Sequence, residues 1–273
     1  MIDLHCHMLP GIDDGAQDVE TALEMARMAV ADGIEWTACT PHIYPGVYEN
    51  RAPDIQAAVD RFRRLLEEAG IPLKLTFGAD IQLVPELVAS LSNQDFPTLH
   101  GTRYFLFEPP HHVAPAHFLD ILFDALAAGY IPLITHPERL TWLDEEHYPW
   151  FLTAARQGAW IQLTAGAVTG RFGRRPRYWA ERMLGEGLVH LLATDAHDTT
   201  RRPPALAEGR VAAERWVGPD EAERLVSERP RAVLDNRPGG DLRLPPGLNE
   251  DGALCAPARK GSSWWPRWLG GRG

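Results

Sequence analysis

Ile2-Asp3-Leu4-His5-Cys6-His7-Met8-Leu9-Pro10-Gly11-Ile12-Asp13-Asp14-Gly15-Ala16 is the stretch from which the rest of the chain is read. Ile2 to Cys6 is a short β-rich run. Residues i and i+2 on a strand share one face. His5 and His7 therefore turn two imidazoles to the same side at the end of a first strand, where they can converge on one metal ion. Asp14, just beyond, offers a carboxylate. A lone His-x-His pair is weak, so its meaning depends on whether the pattern recurs.

It does recur. Further β-rich runs are Trp36–Thr40, Lys74–Gly78, Tyr104–Glu108, Ile131–Thr135, Trp160–Thr164 and His190–Thr194. Helical patterns lie between them. Asp18 can cap a helix through Ala31 that carries Ala22, Met25, Ala26 and Ala29 on one face and closes at Gly33. Asp54–Ala69, His117–Ala128, Glu145–Gln157 and Arg177–Glu186 look similar. A βα unit repeated about seven times implies parallel strands with helical crossovers. The expected fold is α/β, a closed or nearly closed (βα)7 TIM-like barrel.

Nearly every expected strand ends in a potential metal ligand. His42 follows strand two in Thr-Pro-His, Asp80 ends strand three and Glu108 ends strand four. His136 ends strand five, and Asp195 and His197 end strand seven in Thr-Asp-Ala-His. The C-terminal rim is where barrel active sites lie. The set His5, His7, Asp14, His42, Asp80, Glu108, His136, Asp195 and His197 is too large for one ion, and its mixed N and O donors suit two or three. Three divalent ions would outweigh the four carboxylates, which favours an anionic substrate such as a phosphomonoester. They would also bring a bound water toward neutrality as the nucleophile. Arg139 and Arg202 should stand on loops above the ions, where the planar guanidinium suits phosphate oxygens. The remaining histidines are taken as structural or surface groups, with His111 and His112 close enough to the rim for a substrate role.

Bulk properties narrow the class. A chain of 273 residues with 45% hydrophobic content can fill one large core. A formal charge of -10 argues against a nucleic-acid surface. No apolar run is long enough for a membrane span. The N-terminus has neither basic stretch nor apolar core of a signal peptide, so a cytoplasmic protein, not integral to a membrane, is expected. Cysteine is sparse, with Cys6, Cys39 and Cys255, so no disulfide framework is implied. Six positions after these cysteines stand Ile12, Pro45 and Gly261, not arginine, which excludes a cysteine-dependent phosphatase loop. Lys74 and Lys260, the two lysines, are not at strand ends, which disfavours an amidohydrolase with a carbamylated lysine.

The first motif resembles the PHP superfamily, named for polymerases and histidinol phosphatases. It is most similar to the bacterial protein-tyrosine phosphatases of capsule and exopolysaccharide operons, the CpsB/YwqE type. The resemblance continues through Thr40-Pro41-His42, Gly46-Val47-Tyr48-Glu49-Asn50, His136-Pro137-Glu138-Arg139 and Thr194-Asp195-Ala196-His197 with Arg202-Pro203-Pro204. It implies a distorted seven-stranded barrel with three metals, often manganese. By the same resemblance, His5, His7, Glu108 and Asp195 would hold one ion. Glu108, His42 and His136 would hold a second, with Glu108 bridging, and Asp14, Asp80 and His197 a third. Position 80 departs from the family, where glutamate is expected. The implied substrate is phosphotyrosine on a tyrosine autokinase. A small-molecule phosphoesterase, acting for example on histidinol phosphate, is the alternative. Tyr44 and Tyr48 either border the phenyl ring or are ordinary loop aromatics.

A phosphatase domain over residues 1–236 is expected, followed by a low-complexity tail over residues 237–273. Trp264, Trp265 and Trp268 around Arg267 make that tail either a loose end or a docking or membrane-surface segment.

Overall fold

A computed structural model describes residues 1–248. Among the described residues nine strands form: β1 (Ile2–Cys6), β2 (Trp36–Cys39), β3 (His42–Ile43), β4 (Lys74–Phe77), β5 (Asp80–Gln82), β6 (Tyr104–Glu108), β7 (Ile131–Thr135), β8 (Trp160–Thr164) and β9 (Leu191–Ala193). Every ladder between them is parallel. They make two sheets, in the orders β1-β2-β4 and β3-β5-β6-β7-β8-β9. The helices are α1 (Val19–Ala31), α2 (Ala52–Glu68), α3 (Leu87–Ser92), α4 (Phe118–Ala127) and α5 (Tyr148–Gln157). α6 (Ala165–Thr169), α7 (Arg174–Gly185), α8 (Ala207–Val217), α9 (Pro219–Glu223) and α10 (Arg229–Leu234) follow.

The α/β class follows from sequence periodicity. Asp18 caps α1 as expected, accepting from Thr21 N at 2.8 Å. Two expected strands are each cut in two. Pro41 has no N–H to give a ladder, and β2 stops before it and resumes as β3. Gly78-Ala79 separates β4 from β5. A Cβ on Gly78 would lie 2.8 Å from Leu99 Cδ2, so this is a point of close approach. Each second half pairs into the larger sheet, while each first half stays with β1.

Alternate residues of the same strands feed different clusters. Phe105, Phe107, Ile134 and Leu163 join the large core with the helices. Leu4, Ala38, Leu106, Leu133 and Leu191 form a smaller second cluster. β1 also meets β9 and the segment just past it, where Cys6 bridges Ala196. Beneath that junction Asp3, fully buried, accepts from Thr194 N at 3.0 Å and Thr194 Oγ1 at 2.5 Å. Burial lifts the Asp3 carboxyl to about 6 against the pull of those donors.

Residues 237–248, expected to begin a loose tail, lie against the folded body. Tyr104 Oη donates to Arg237 O at 2.7 Å, Gly247 N to Gly187 O at 2.9 Å, and Leu248 is buried. The Trp-rich segment lies outside the described residues. Among the described residues no helix is long and apolar enough to cross a membrane.

Candidate metal centre

All nine candidate ligands come together on one rim, near or just past the ends of β1, β6, β7 and β9 and at the starts of β3 and β5. His5 lies on β1 and His7 just past it. His42 opens β3, Asp80 opens β5 and Glu108 closes β6. His136 follows β7, and Asp195 and His197 follow β9. The first motif folds back tightly to bring Asp14 in. A Cβ on Gly15 would stand 1.9 Å from His7 O, so no larger residue fits there.

Three overlapping groups share this space. Asp195 Oδ1 lies 3.4 Å from His5 Nε2 and 3.4 Å from His7 Nε2. Glu108 lies 3.4 Å from His42 Nδ1 and 3.8 Å from His136 Nε2. Asp14 Oδ1 lies 3.5 Å from His42 Nε2 and 3.5 Å from His197 Nε2. Asp80 joins the first two groups: its Oδ2 is 3.3 Å from His5 Nε2 and 3.7 Å from both His42 Nδ1 and His136 Nε2.

These contacts differ from the partition that the family resemblance implies. Asp80 does not stand with Asp14 and His197, and Glu108 does not reach His5 and His7. The cause is register. β5 begins at Asp80, level with His42 on one side and Leu106 on the other, and Glu108 is level with Gln82. Asp80 is thus two residues deeper than Glu108 and fully buried, whereas the Glu108 side chain keeps 15% of its exposure. Asp80 is the fully buried carboxylate that lies within 3.7 Å of imidazoles from both of the first two groups.

The donor set fits divalent cations. Both oxygens of Asp80, Asp195 Oδ1, His42 Nδ1 and His197 Nε2 are buried without a hydrogen-bond partner. Orphaned buried polar atoms are costly unless something satisfies them, and here they converge from residues that are all common ion ligands. The arginines stand on the other side of Asp195. Arg139 Nη1 and Arg202 Nη2 both donate to Asp195 Oδ2, the latter at 2.5 Å. Phe172 covers the Arg139 guanidinium, 4.7 Å from ring centroid to Cζ. Arg202 Nε is buried and unpartnered. Neighbouring Arg201 is exposed.

The model for capsular polysaccharide synthesis proteins, CpsB/CapC, matches residues 1–235. The chain belongs to the CpsB/CapC family. Tyrosine-protein phosphatase YwqE of Bacillus subtilis (strain 168) is 33% identical over 237 residues, 87% of this chain and 92% of that protein. The putative tyrosine-protein phosphatase CapC of Staphylococcus aureus is 28% identical over 203 residues, 74% of this chain and 79% of that protein. A crystal structure described under YwqE from Bacillus subtilis and CpsB from Streptococcus pneumoniae, "unique metal-dependent tyrosine phosphatases", matches with a TM-score of 0.81 at 33% identity. It covers 87% of this chain and 96% of that chain. A β-aspartyl dipeptidase from Fervidobacterium islandicum, with a TM-score of 0.55 and 13% identity, is alike in fold alone.

The CpsB/CapC site includes supports that the sequence reading passed over. Asp13, its side chain buried, accepts at 2.7 Å from His7 Nδ1 and at 3.0 Å from His42 N. Gln162 Oε1 holds His5 Nδ1 at 2.8 Å. Partners of this kind fix a ligating imidazole's tautomer and orientation. Gln162 had a visible signal, as a lone polar residue inside the buried run Trp-Ile-Gln-Leu-Thr. Asp13 was hidden beside Asp14. His111 also sits near the rim. Burial and the Arg139 charge hold its imidazole down to about 4.

The charges of the cluster carry a pH prediction. Burial disfavours a charged His5, but Asp80 and Asp195 outweigh it and lift the imidazole to about 9. Burial is likewise overcome at His42, where Glu108 and Asp80 raise it to about 10. Both imidazoles are therefore protonated at neutral pH until an ion displaces the proton. Ion affinity in the CpsB/CapC site should rise with pH, by up to about tenfold per unit for each proton displaced. Titrating manganese into weakly buffered protein near pH 7 should release protons, and the release should fade toward about pH 10. An affinity flat across that range would show that His5 and His42 carry no proton for an ion to displace.

Proposed function

We propose that this chain is a metal-dependent protein-tyrosine phosphatase, acting on a phosphotyrosine protein of a capsule or exopolysaccharide system, a tyrosine autokinase. The observation that carries the reading is the junction at Asp195. One carboxylate oxygen faces the imidazole cluster and the other is gripped by two arginines. A phosphoryl group seated there meets cations from both sides. The names of the CpsB/CapC relatives support tyrosine as the phosphate carrier.

We read the ligand set as holding three ions, most simply manganese. His5, His7, Asp80 and Asp195 take one, Asp80, His42, Glu108 and His136 the second, and Asp14 and His197 the third, with His7 or His42 adjoining. Bound divalent ions supply Lewis acidity and a water acidic enough to act as hydroxide near neutral pH. Arg139 and Arg202 orient the phosphoryl oxygens and offset the charge spread over them in the transition state. Asp13 and Gln162 keep His7 and His5 aimed. We read attack on phosphorus as direct; a phosphocysteine route is excluded because neither Cys6 nor Cys39 has the arginine-bearing loop that it needs. The departing phenolate, of pKa about 10, is a fair leaving group. The two sheets are then the arcs of one distorted seven-stranded barrel joined by the β1–β9 contact. Residues 1–236 form the catalytic domain, and the protein is cytoplasmic.

The test is kinetic. Chelation should abolish hydrolysis and manganese should restore it, with phosphotyrosine peptides turned over faster than phosphoserine peptides or histidinol phosphate. Full activity in metal-free protein would end the reading. A clear preference for histidinol phosphate would move it to a small-molecule phosphoesterase.

A further inference from the structure

The loop after His42 is a closed hairpin. Tyr44 and Tyr48 exchange backbone hydrogen bonds, at 3.0 Å from Tyr44 N and 2.8 Å from Tyr48 N. Gly46, with φ of 83°, takes the left-handed position of the turn and donates to Glu49 Oε1 at 2.6 Å. Asn50 ties the base down, its amide donating to His42 O at 2.9 Å and Ile12 O at 3.1 Å. The hairpin is thus fixed both to the first motif and to a residue of the ion cluster.

Its aromatic residues have no part in the chemistry derived above. The Tyr48 ring is half-buried and lies nearly parallel to the His42 imidazole, with centroids 5.8 Å apart and planes at 14°. Tyr44 and Val47 on the same hairpin are 38% and 59% exposed. His42 also touches Asp14 and Glu108, the two most open carboxylates of the cluster. Tyr48 therefore borders the cluster on its open side. A phosphate held at the cluster carries its organic group out through that open side, of which the hairpin forms one border.

We propose that Tyr48 is the aromatic wall that packs against the phenyl ring of the substrate, so that the hairpin sets the preference for aryl over alkyl phosphates. The inference rests on the phosphatase reading and deepens it. Ring-on-ring contact with partial burial is worth about tenfold in affinity. An alkyl phosphate has no ring to offer and gains none of it.

The test uses manganese-loaded full-length protein and two non-hydrolysable probes, phenylphosphonate and ethylphosphonate, with binding measured by calorimetry. The parent should bind the phenyl probe more tightly. Tyr48→Ala should weaken phenylphosphonate about tenfold and leave ethylphosphonate within about twofold. Tyr48→Phe should keep both affinities, since the ring and not the hydroxyl is at issue. Tyr48→Leu serves if the alanine variant does not fold. Metal content should match the parent throughout, which separates a wall from a prop for His42. Equal binding of the two probes by the parent, or equal weakening of both in Tyr48→Ala, would overturn the proposal. So would a Tyr48→Phe variant that behaves like alanine. If the parent hydrolyses no phosphomonoester, the phosphatase reading fails instead.

Discussion

Asp80→Ala should lower turnover by about 10³- to 10⁴-fold, the scale expected when one member of an interdependent catalytic unit is removed. Its carboxylate lies within 3.7 Å of His5, His42 and His136, and among the described residues no other carboxylate comes within 4.0 Å of imidazoles of both groups. Deleting it takes a donor from two ion positions at once. Glu108→Ala removes a donor from one position, nearer solvent where a water can replace it, and should cost less. The family resemblance ranks the two the other way, because it implies Glu108 as the bridge. Asp80→Asn, with the charge removed and the shape kept, should resemble alanine. Asp80→Glu keeps the donor and supplies the residue that the family resemblance leads one to expect, so it should stay within about tenfold of the parent. Turnover and bound metal measured on the four variants decide the matter. Parental metal content in Asp80→Ala would take position 80 out of the ligand set. A larger loss in Glu108→Ala would return the bridge to 108.

Arg139→Ala and Arg202→Ala should each cost about 10²- to 10³-fold in kcat/KM, the usual effect of losing one donor to developing charge. Both guanidiniums converge on Asp195 Oδ2, so the double variant should lose less than the product of the two. Lysine at either position should recover little. A lysine has one ammonium where the site presents a planar fork, and at 139 that plane also lies against Phe172. Affinity for inorganic phosphate should fall with the rate while metal content holds. A variant that loses its ions instead would show that the arginines only support Asp195.

Much of this was legible locally. His5, His7, His42 and Asp195 stand at strand ends, and a strand end is a feature of a few neighbouring residues. The α1 cap at Asp18 is similarly local. The split of strands two and three was not legible in the same way. Pro41 and Gly78 were visible, but that the chain resumes in a second ladder depends on partners far along the sequence. The sharing of ligands failed for the same reason. How deep Asp80 lies relative to Glu108 is set by the pairing of β3, β5 and β6, and no window around either residue contains that register. Asp13 and Gln162 escaped because their work is done on another side chain, not on the ions.

His136 and Asp195 hold backbone φ angles of 35° and 50°, in the left-handed region that residues with a Cβ seldom enter. Each costs on the order of 1–3 kcal/mol, and glycine would relieve both. Set against the roughly 5–15 kcal/mol that separates a typical domain from its unfolded state, the two together are a sizeable fraction. The protein is less stable for having its imidazole and carboxylate in these places. Glycine would sit there without strain but could supply neither the imidazole nor the carboxylate. Cations that bind only the folded chain return part of what was lost, through mass action.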